Sequence, residues 1–321
     1  MMDTFKKTLL ASALTTLVVG TAAAGDAVKV YGKLNITAQK SDTVKSDKTQ
    51  IKSNASRLGV KGSFDLGNAL EAFYTIEYQV NTDSSSKNNF TARNQYVGLK
   101  GGFGSVAVGR KDTITKKAQG KVDLFNDLSG DLKNLFKGDN RLAQTVTYVS
   151  PSFSGFKLGA TWVAEGDNKQ TLSYEYKGTK YKTEGDGLGL ALMYGDAKLK
   201  KSKLFASIAY DSEVAGYDVV RATVQGKIGA LKLGGMFQQQ ESIKKGSKST
   251  NGYLLNAAYN ISKVTLKGQF QDMEDKGDSW SVGADYKLAK PTKLFAFYTT
   301  RSDEKLDEDN KYFGLGIEHK F

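Results

Sequence analysis

The chain has 321 residues, and 46 Lys and Arg against 34 Asp and Glu give a formal net charge of +12 at pH 7. One His (His319) and no Cys exclude disulfide scaffolds, thiolate metal sites and Cys nucleophiles, and one His is too few for a multi-His zinc site. We therefore expect no metal site and no cofactor, and the lone His makes a Ser-His-Asp enzyme improbable.

Residues 1–24 have the pattern of a secretory signal peptide. Lys6 and Lys7 form a positive segment, residues 8–19 are mostly apolar, and three alanines at 22–24 provide a small-residue cleavage site. We expect this segment to be removed, leaving residues 25–321 as one exported domain. The basic residues of that domain are scattered and form no long basic arm, so we expect no binding of nucleic acid.

From residue 28 onward, apolar and polar residues alternate with a period of two. This pattern predicts strands with one apolar and one polar face. More than a dozen such segments follow one another without a linker, which fits poorly with serial β-sandwiches of about 100 residues each. The alternation places four charged residues on polar faces: Lys33, Arg57, Glu77 and Arg141. The sequence therefore favours an all-β, antiparallel transmembrane barrel whose apolar face meets lipid.

The connections between the predicted strands are alternately short and long. Short ones lie at 66–68, 101–104, 150–155, 229–230, 261–262 and 289–291. Long polar ones lie at 41–52, 82–89, 111–140, 166–187, 240–250 and 301–310. Short turns at one end and long loops at the other are typical of outer-membrane barrels. The count is about 16 strands if 171–182 is a hairpin within a loop and about 18 if it spans the membrane, and its polarity favours 16.

Four segments carry a resemblance to a known family. They are 28–34 (VKVYGKL), 56–62 (SRLGVKG), 147–151 (TYVSP) and 314–321 (GLGIEHKF). Together with the signal peptide they resemble the general diffusion porins of Gram-negative outer membranes, over the whole mature chain. The resemblance implies a homotrimer of 16-stranded barrels in the outer membrane. Each barrel would pass small hydrophilic solutes and ions by passive diffusion, with the third outer loop folded inward to narrow the pore.

The resemblance also implies a pore constriction in which basic side chains on the barrel wall face acids on the inward loop. The matching residues are Lys33, Arg57, Arg93 and Arg141 on the wall, with Glu77 beside them and Asp123 and Asp127 on the loop. Arg93 rests on the resemblance alone, and residues 126–130 (NDLSG) depart from the family's usual loop core. Four positive charges against three negative ones predict a weak anion preference, because rings of charge bias a pore.

The ends of the chain indicate partners. In this family, the resemblance implies, a terminal aromatic such as Phe321 is read by the barrel-assembly machinery. Five apolar residues near the seam between the first and last strands supply a wall for trimer contacts: Val28, Val30, Leu34, Leu315 and Ile317. The acidic loop 301–310 is expected to be solvated, although its carboxylates could also bridge lipopolysaccharide through divalent ions.

Two other functions stay open at this point. A surface adhesin would be a barrel with a plugged lumen. A substrate-specific porin would carry a run of aromatic residues along the lumen, whereas the inward positions here read mainly as Lys, Thr, Gln, Asn and Ser. That composition favours the general porin.

Overall fold

A computed structural model describes residues 28–44, 46–165, 172–304 and 309–321, and the expected signal peptide lies outside the described residues. The strands are β1 (Lys29–Thr43), β2 (Ser46–Ser53), β3 (Arg57–Gly67), β4 (Leu70–Val80), β5 (Phe90–Gly101), β6 (Gly104–Asp112), β7 (Arg141–Val149), β8 (Phe156–Val163), β9 (Leu172–Tyr176), β10 (Thr179–Thr183), β11 (Gly187–Gly195), β12 (Leu204–Val214), β13 (Tyr217–Ile228), β14 (Leu231–Ser242), β15 (Thr250–Ile261), β16 (Val264–Met273), β17 (Gly277–Lys287), β18 (Thr292–Arg301) and β19 (Asn310–Lys320). One helix, α1 (Ile114–Ala118), and a 3₁₀ turn (Leu132–Asn134) lie between β6 and β7. Among the described residues, no helix has the length and apolarity needed to cross a bilayer.

The strands form one closed antiparallel barrel. β1 pairs with β19 along most of its length, which joins the two ends of the sheet. β2 and β3 pair with successive halves of β1, so together they make a single barrel strand interrupted at residues 54–56. β9 and β10 form a separate two-stranded sheet. The barrel therefore has 16 strands, as predicted, and the hairpin at 171–182 belongs to a loop.

The predicted long loop at 41–52 is wrong. β1 continues to Thr43 and β2 begins at Ser46, with ladder pairs from Thr43–Ser46 down to Ile36–Ser53. Polar sequence does not end a strand, because the ladder is made by backbone groups and only the membrane-embedded part needs an apolar face.

The two faces of the barrel wall differ as the alternation predicts. Leu34 is 41% exposed, whereas its neighbours Lys33 and Asn35 are 7% and 5% exposed. The outward face of the other strands carries the large exposed apolar residues, Ile76 and Leu315 among them. This is the inverse of a soluble protein, in which such a continuous apolar surface would be buried.

The buried face is less uniformly polar than predicted. Phe295 and Phe297 on β18 lie on it, and so does Met236 on β14. Phe73 also points to this side, since a Cβ at Gly98 on the neighbouring strand would clash with its ring. A few inward apolar residues do not disturb the period-two alternation, because the outward positions of the same strands are still mostly apolar. These residues were therefore not predicted.

Residues 113–140 pack against the buried face of the barrel wall. Ile114 and Ala118 contact Ala191 and Ala209, and the close approach to β8 needs Gly159, where a Cβ would clash with Ile114. Two further clusters complete the contact. One joins Val122, Leu132, Leu135 and Phe136 to Met236, Leu254 and Met273, and the other joins Phe125 and Leu128 to Phe295, Phe297 and Tyr312.

Candidate functional site

Lys33 and Arg57 begin the charged cluster on the opposite part of the wall. They are direct cross-strand partners on β1 and β3. Asp127 of the loop bridges them, with its carboxylate 2.9 Å from Lys33 Nζ and 3.5 Å from Arg57 Nη2. Lys33 Nζ also lies 3.7 Å from Glu318 on β19, an acid that the sequence analysis missed. Like charges placed directly opposite each other are unfavourable, so the carboxylates stabilise this pair.

Arg93 and Glu77 form a second pair. Arg93 Nε donates to Glu77 Oε1 at 2.7 Å, and Tyr31 donates its hydroxyl to Glu77 Oε2 at 3.0 Å. A β-bulge between β4 and β5 sets Arg93 and Asn94 against the single residue Glu77. The extra residue breaks the period of two, which explains why alternation could not place Arg93.

Arg141 lies in a third group. Its Nε is 2.9 Å from Asp112 Oδ1 at the end of β6, and not beside the loop acids Asp123 and Asp127. Lys116 on α1 joins the same group, 3.8 Å from Asp112 and 2.6 Å from Asp139. The four predicted wall cations thus meet different acids: Lys33 and Arg57 share Asp127, whereas Arg93 and Arg141 have acids from the wall itself.

Asp123 and Asp127 have different surroundings although both were predicted as constriction acids. The Asp123 carboxylate accepts hydrogen bonds from the backbone N–H groups of Phe125 (2.9 Å) and Leu132 (3.0 Å) and from Gln269 Nε2 (3.2 Å). Burial and the nearby charge of Asp131 raise the pKa of Asp123 to about 7. Burial also disfavours charge on Asp127, but Lys33 and Arg57 outweigh it and hold its pKa below the usual range.

A cavity of about 680 Å³ lies between these groups. Among the residues that the structure describes, nine basic side chains line it: Arg57, Arg93, Arg110, Lys116, Lys117, Lys121, Lys133, Arg141 and Lys198. Six acidic side chains from the same described ranges do so as well: Asp112, Asp123, Asp127, Asp131, Asp139 and Asp196. Burial lowers the pKa of Lys117 and of Lys121, and the charge of Lys198 adds to the effect at Lys121. The lining therefore has an excess of three basic groups.

Most of these additional residues belong to the segment that the sequence analysis treated as the third loop. Lys116, Lys117 and Lys121 precede Asp123, Asp127 and Asp131, and Lys133 follows them, so the charge of these lysines was visible in the sequence. What the sequence could not give is which of them face the cavity, because an irregular loop has no fixed period. In the part of the chain that the structure describes, no group of three or more His, Asp or Glu side chains is arranged to hold a metal ion.

Phe321 closes the seam of the barrel. Its backbone carbonyl accepts a hydrogen bond from Gly32 N at 2.9 Å, and its own N–H donates to Gly32 O at 3.2 Å. Its ring is 57% exposed and lies over Gly32, where any Cβ would clash with it. The last residue of the chain is thus held on the outward face of the first strand.

The fold and this cluster define the class as outer-membrane β-barrels with a charged interior. The family model described as Gram-negative porin matches residues 10–306, and the chain belongs to that family. It is 28% identical over 354 residues to the major outer membrane protein P.IB of Neisseria meningitidis serogroup B, covering 98% of this chain and 100% of that protein. The protein is therefore an outer-membrane porin, and its homologues are channels and not enzymes.

Two solved structures share the fold. The anion-selective porin from Comamonas acidovorans aligns with a TM-score of 0.73 at 21% identity, covering 92% of this chain and 99% of that one. The in-vitro folded OmpT of Vibrio cholerae in its trimer form aligns with a TM-score of 0.60 at 16% identity, covering 93% and 100%. At these identities the likeness establishes the architecture of the barrel.

Proposed function

We propose that the barrel is a water-filled channel for passive diffusion of small hydrophilic solutes and ions, with a weak preference for anions. The observation that carries the proposal is the excess of basic over acidic side chains around the cavity of about 680 Å³. Charges farther than about 8 Å apart are largely screened at physiological ionic strength, so this local excess outweighs the charge on distant loops. The porin from Comamonas acidovorans that shares this fold is described as anion-selective, which supports a preference for anions in this channel as well.

The narrowest part of the channel is assigned to the loop 113–140, folded inward, and the wall that faces it. Lys33, Arg57, Arg93 and Arg141 supply the positive side, and Glu77 and Asp127 the negative side. Asp123 was also predicted as a constriction residue. We assign it instead to the folding of the loop, because its carboxylate accepts hydrogen bonds from Phe125, Leu132 and Gln269. Opposed charges produce a field across the opening that favours polar solutes over apolar ones.

Replacing the two arginines tests the selectivity. Arg57→Ala combined with Arg141→Ala removes two positive charges and two large side chains from the cavity lining. We expect the reversal potential in a KCl gradient to shift toward cations while the single-channel conductance rises. Lys87→Ala, which removes a charge from the exposed loop between β4 and β5, is the control and should change neither quantity. A wild-type channel that already prefers cations, or a double variant with the wild-type reversal potential, would contradict the proposal.

The assembly is proposed to be a homotrimer, as the trimer form of the OmpT relative supports. An exposed apolar row beside the seam offers a surface for neighbouring barrels or outer-membrane lipid; it consists of Val30, Leu34, Leu315 and Ile317.

Phe321 is proposed as the signal for the barrel-assembly machinery. Residues 1–24 are proposed as the signal peptide, and residues 25–321 as the single barrel domain. Lipopolysaccharide is the proposed neighbour of the outer loops, although residues 305–308 of the acidic loop lie outside the described part.

A further inference from the structure

A second cavity, of about 720 Å³, lies against the inner wall formed by β1 and β3–β6. It is near the short-turn end of the barrel, which is the periplasmic end in this family. Its lining contains Lys29, Lys61, Lys100, Phe73 and Tyr96. Within the described residues, no Asp or Glu side chain contributes to that lining. Lys100 Nζ lies 2.7 Å from Glu71 Oε1, which balances its charge. The positive character of the cavity therefore comes from Lys29 and Lys61, and its lining is also partly aromatic, unlike the mixed-charge cavity at the constriction.

Lys29 and Lys61 are direct cross-strand partners, as Lys33 and Arg57 are four residues farther along the same ladder. The two pairs lie about 13 Å apart at the usual rise of a strand. Opposed like charges are unfavourable in a sheet. Asp127 of the loop bridges Lys33 and Arg57, whereas among the described residues no acid bridges Lys29 and Lys61, and Lys61 Nζ instead lies 5.0 Å from the centroid of the Tyr31 ring. An anion in the cavity would do for this pair what Asp127 does for the other.

The aromatic side chains lie in neighbouring rows of the same wall. Lys29, Lys61, Thr75 and Tyr96 are successive partners across four strands, so Lys61 and Tyr96 are two strands, or roughly 10 Å, apart. Phe73, one row lower, meets Tyr96 edge to face with 6.1 Å between ring centroids. An anionic group beside Lys61 and a ring beside Tyr96 can thus belong to one small molecule.

These rings differ from Phe295 and Phe297 elsewhere on the inner wall. Phe295 and Phe297 are 6% and 2% exposed because Phe125 and Leu128 of the loop cover them. Phe73 and Tyr96 are only half-buried and border the open cavity. Lys111 covers part of Tyr96, with its Nζ 3.8 Å from the ring centroid. Rings exposed inside a water-filled lumen lose the benefit of burial, and a planar apolar solute would restore it.

We propose that this cavity is a binding subsite for small aromatic carboxylates in transit. The carboxylate lies between Lys29 and Lys61, and the ring packs against Phe73 and Tyr96. The proposal rests on the function proposed above, because the solute reaches the site by diffusion through the channel. The affinity is expected to be low, since conduction requires that a bound solute also leaves.

Benzoate is the probe, and acetate and benzylammonium are its matched comparisons. Acetate keeps the carboxylate without the ring, and benzylammonium keeps the ring with the opposite charge. With the protein in a planar bilayer, benzoate added on the periplasmic side should reduce the chloride current at lower concentration than either comparison. Equal block by benzoate and acetate would overturn the aromatic part of the proposal, and block by benzylammonium as strong as by benzoate would overturn the anionic part.

Substitutions in the lining of the cavity test whether benzoate blocks the current by binding there. Lys29→Gln combined with Lys61→Gln should raise the concentration of benzoate needed for half block by roughly tenfold, the change for about 1.4 kcal/mol. Phe73→Leu should bring benzoate to the level of acetate without changing the chloride conductance. Lys157→Gln removes a lysine at the same end of the barrel on β8, outside the cavity, and should leave the block unchanged. Unchanged block in both the double variant and Phe73→Leu would overturn the site.

The failure of this proposal is distinguishable from failure of the channel. The reversal potential in a KCl gradient, measured without benzoate, reports the anion preference by itself. Calorimetric titration of benzoate into the detergent-solubilised protein reports the subsite without requiring any current. An anion-selective channel that takes up benzoate and acetate with equal affinity would overturn the subsite alone. Stronger binding of benzoate to a protein that prefers cations would support the subsite and contradict the proposed selectivity.

Discussion

The inner wall of this barrel has two parts with opposite character. On β8 and β11–β19 the wall contacts the loop 113–140, mainly through three apolar clusters, and residues such as Leu254 and Met273 are fully buried beneath it. On β1 and β3–β7 the wall carries the ion pairs of Lys33, Arg57 and Arg93. The first part, which we call the covered wall, supports the loop. The second part, which we call the charged wall, faces the cavity of about 680 Å³ and contributes charged side chains such as Arg57, Arg93 and Arg141 to its lining.

The difference teaches which interactions hold the loop. Burying a side chain such as Phe contributes about 1.5–3 kcal/mol, and the loop buries several against the covered wall. The side chains of Lys33 and Asp127 are largely buried, so the cost of desolvating them offsets much of the attraction in their ion pair. We therefore expect the covered wall, more than the ion pairs of Asp127, to set the position of the loop.

The largest effect should come from breaking the apolar contact. Phe125→Ala combined with Phe136→Ala removes one large side chain from each of two clusters, and each substitution costs about 3–5 kcal/mol of packing. We expect the loop to detach, the single-channel conductance to rise, and cleavage by trypsin to increase near Lys133, which is exposed at the loop surface. Phe153→Ala, at a position that is 81% exposed, is the control and should change neither readout. Wild-type conductance in the double variant would show that the charged wall holds the loop.

An intermediate effect is expected at Arg221, a fully buried residue of the covered wall that the sequence analysis did not single out. Its guanidinium donates to Gln238 Oε1 (2.7 Å), Gln119 Oε1 (2.9 Å) and the carbonyl of Lys137 (2.5 Å). Arg221→Met removes the donor from the side-chain oxygens of Gln238 and Gln119, at about 1–3 kcal/mol, while Gln238 Nε2 still donates to the Lys137 carbonyl (3.1 Å). Hydrogen exchange of the backbone amides at 119–137 should accelerate. Lys227→Met, on the same strand, should leave it unchanged, and equal exchange in both variants would remove Arg221 from the support of the loop.

The smallest effect concerns pH. Because burial and Asp131 raise the pKa of Asp123 to about 7, the seated loop binds a proton that the detached loop, with an ordinary carboxyl pKa, releases. The stabilisation is complete below the ordinary carboxyl pKa and is lost as the pH rises through about 7. Single-channel current noise from loop motion should therefore increase from pH 5 to pH 8. Asp123→Asn should abolish this dependence and Asp127→Asn should keep it; the reverse result would assign the titration to Asp127.

The sequence predicted the charged wall better than the covered wall. Lys33, Arg57 and Glu77 follow a strict alternation in strands whose outward residues are apolar, so their face was readable. Arg93 was found only through the family resemblance, since the bulge opposite Glu77 shifts the period. The partner of Arg141 could not be predicted, because Asp112, Asp123 and Asp127 all precede it in the same segment and the sequence does not show which of them lies beside it. The fold places Asp112 there.

The covered wall was not predicted because only a few apolar residues lie at the inward positions of its strands. Met236 and Leu254 lie on separate strands and Phe295 and Phe297 are a single pair on β18, so the sequence alone does not show that the loop covers these inward positions. The loop itself has no period to read, although Phe125 and Phe136 near its acids could have indicated a buried side. The extension of β1 to Thr43 and the start of β2 at Ser46 were missed for a related reason, since backbone pairing there needs no apolar residue.

The seam between β1 and β19 has a consequence for the order of folding. Gly32 and Phe321, which pair there, are separated by almost the entire chain, and such a high contact order makes closure a slow and late event. Lys33 and its partner Glu318 lie on opposite sides of the same seam. A barrel whose two ends are not yet joined would therefore lack the Glu318 side of the charged cluster around Lys33, and we expect this cluster to be complete only when the last backbone hydrogen bonds form.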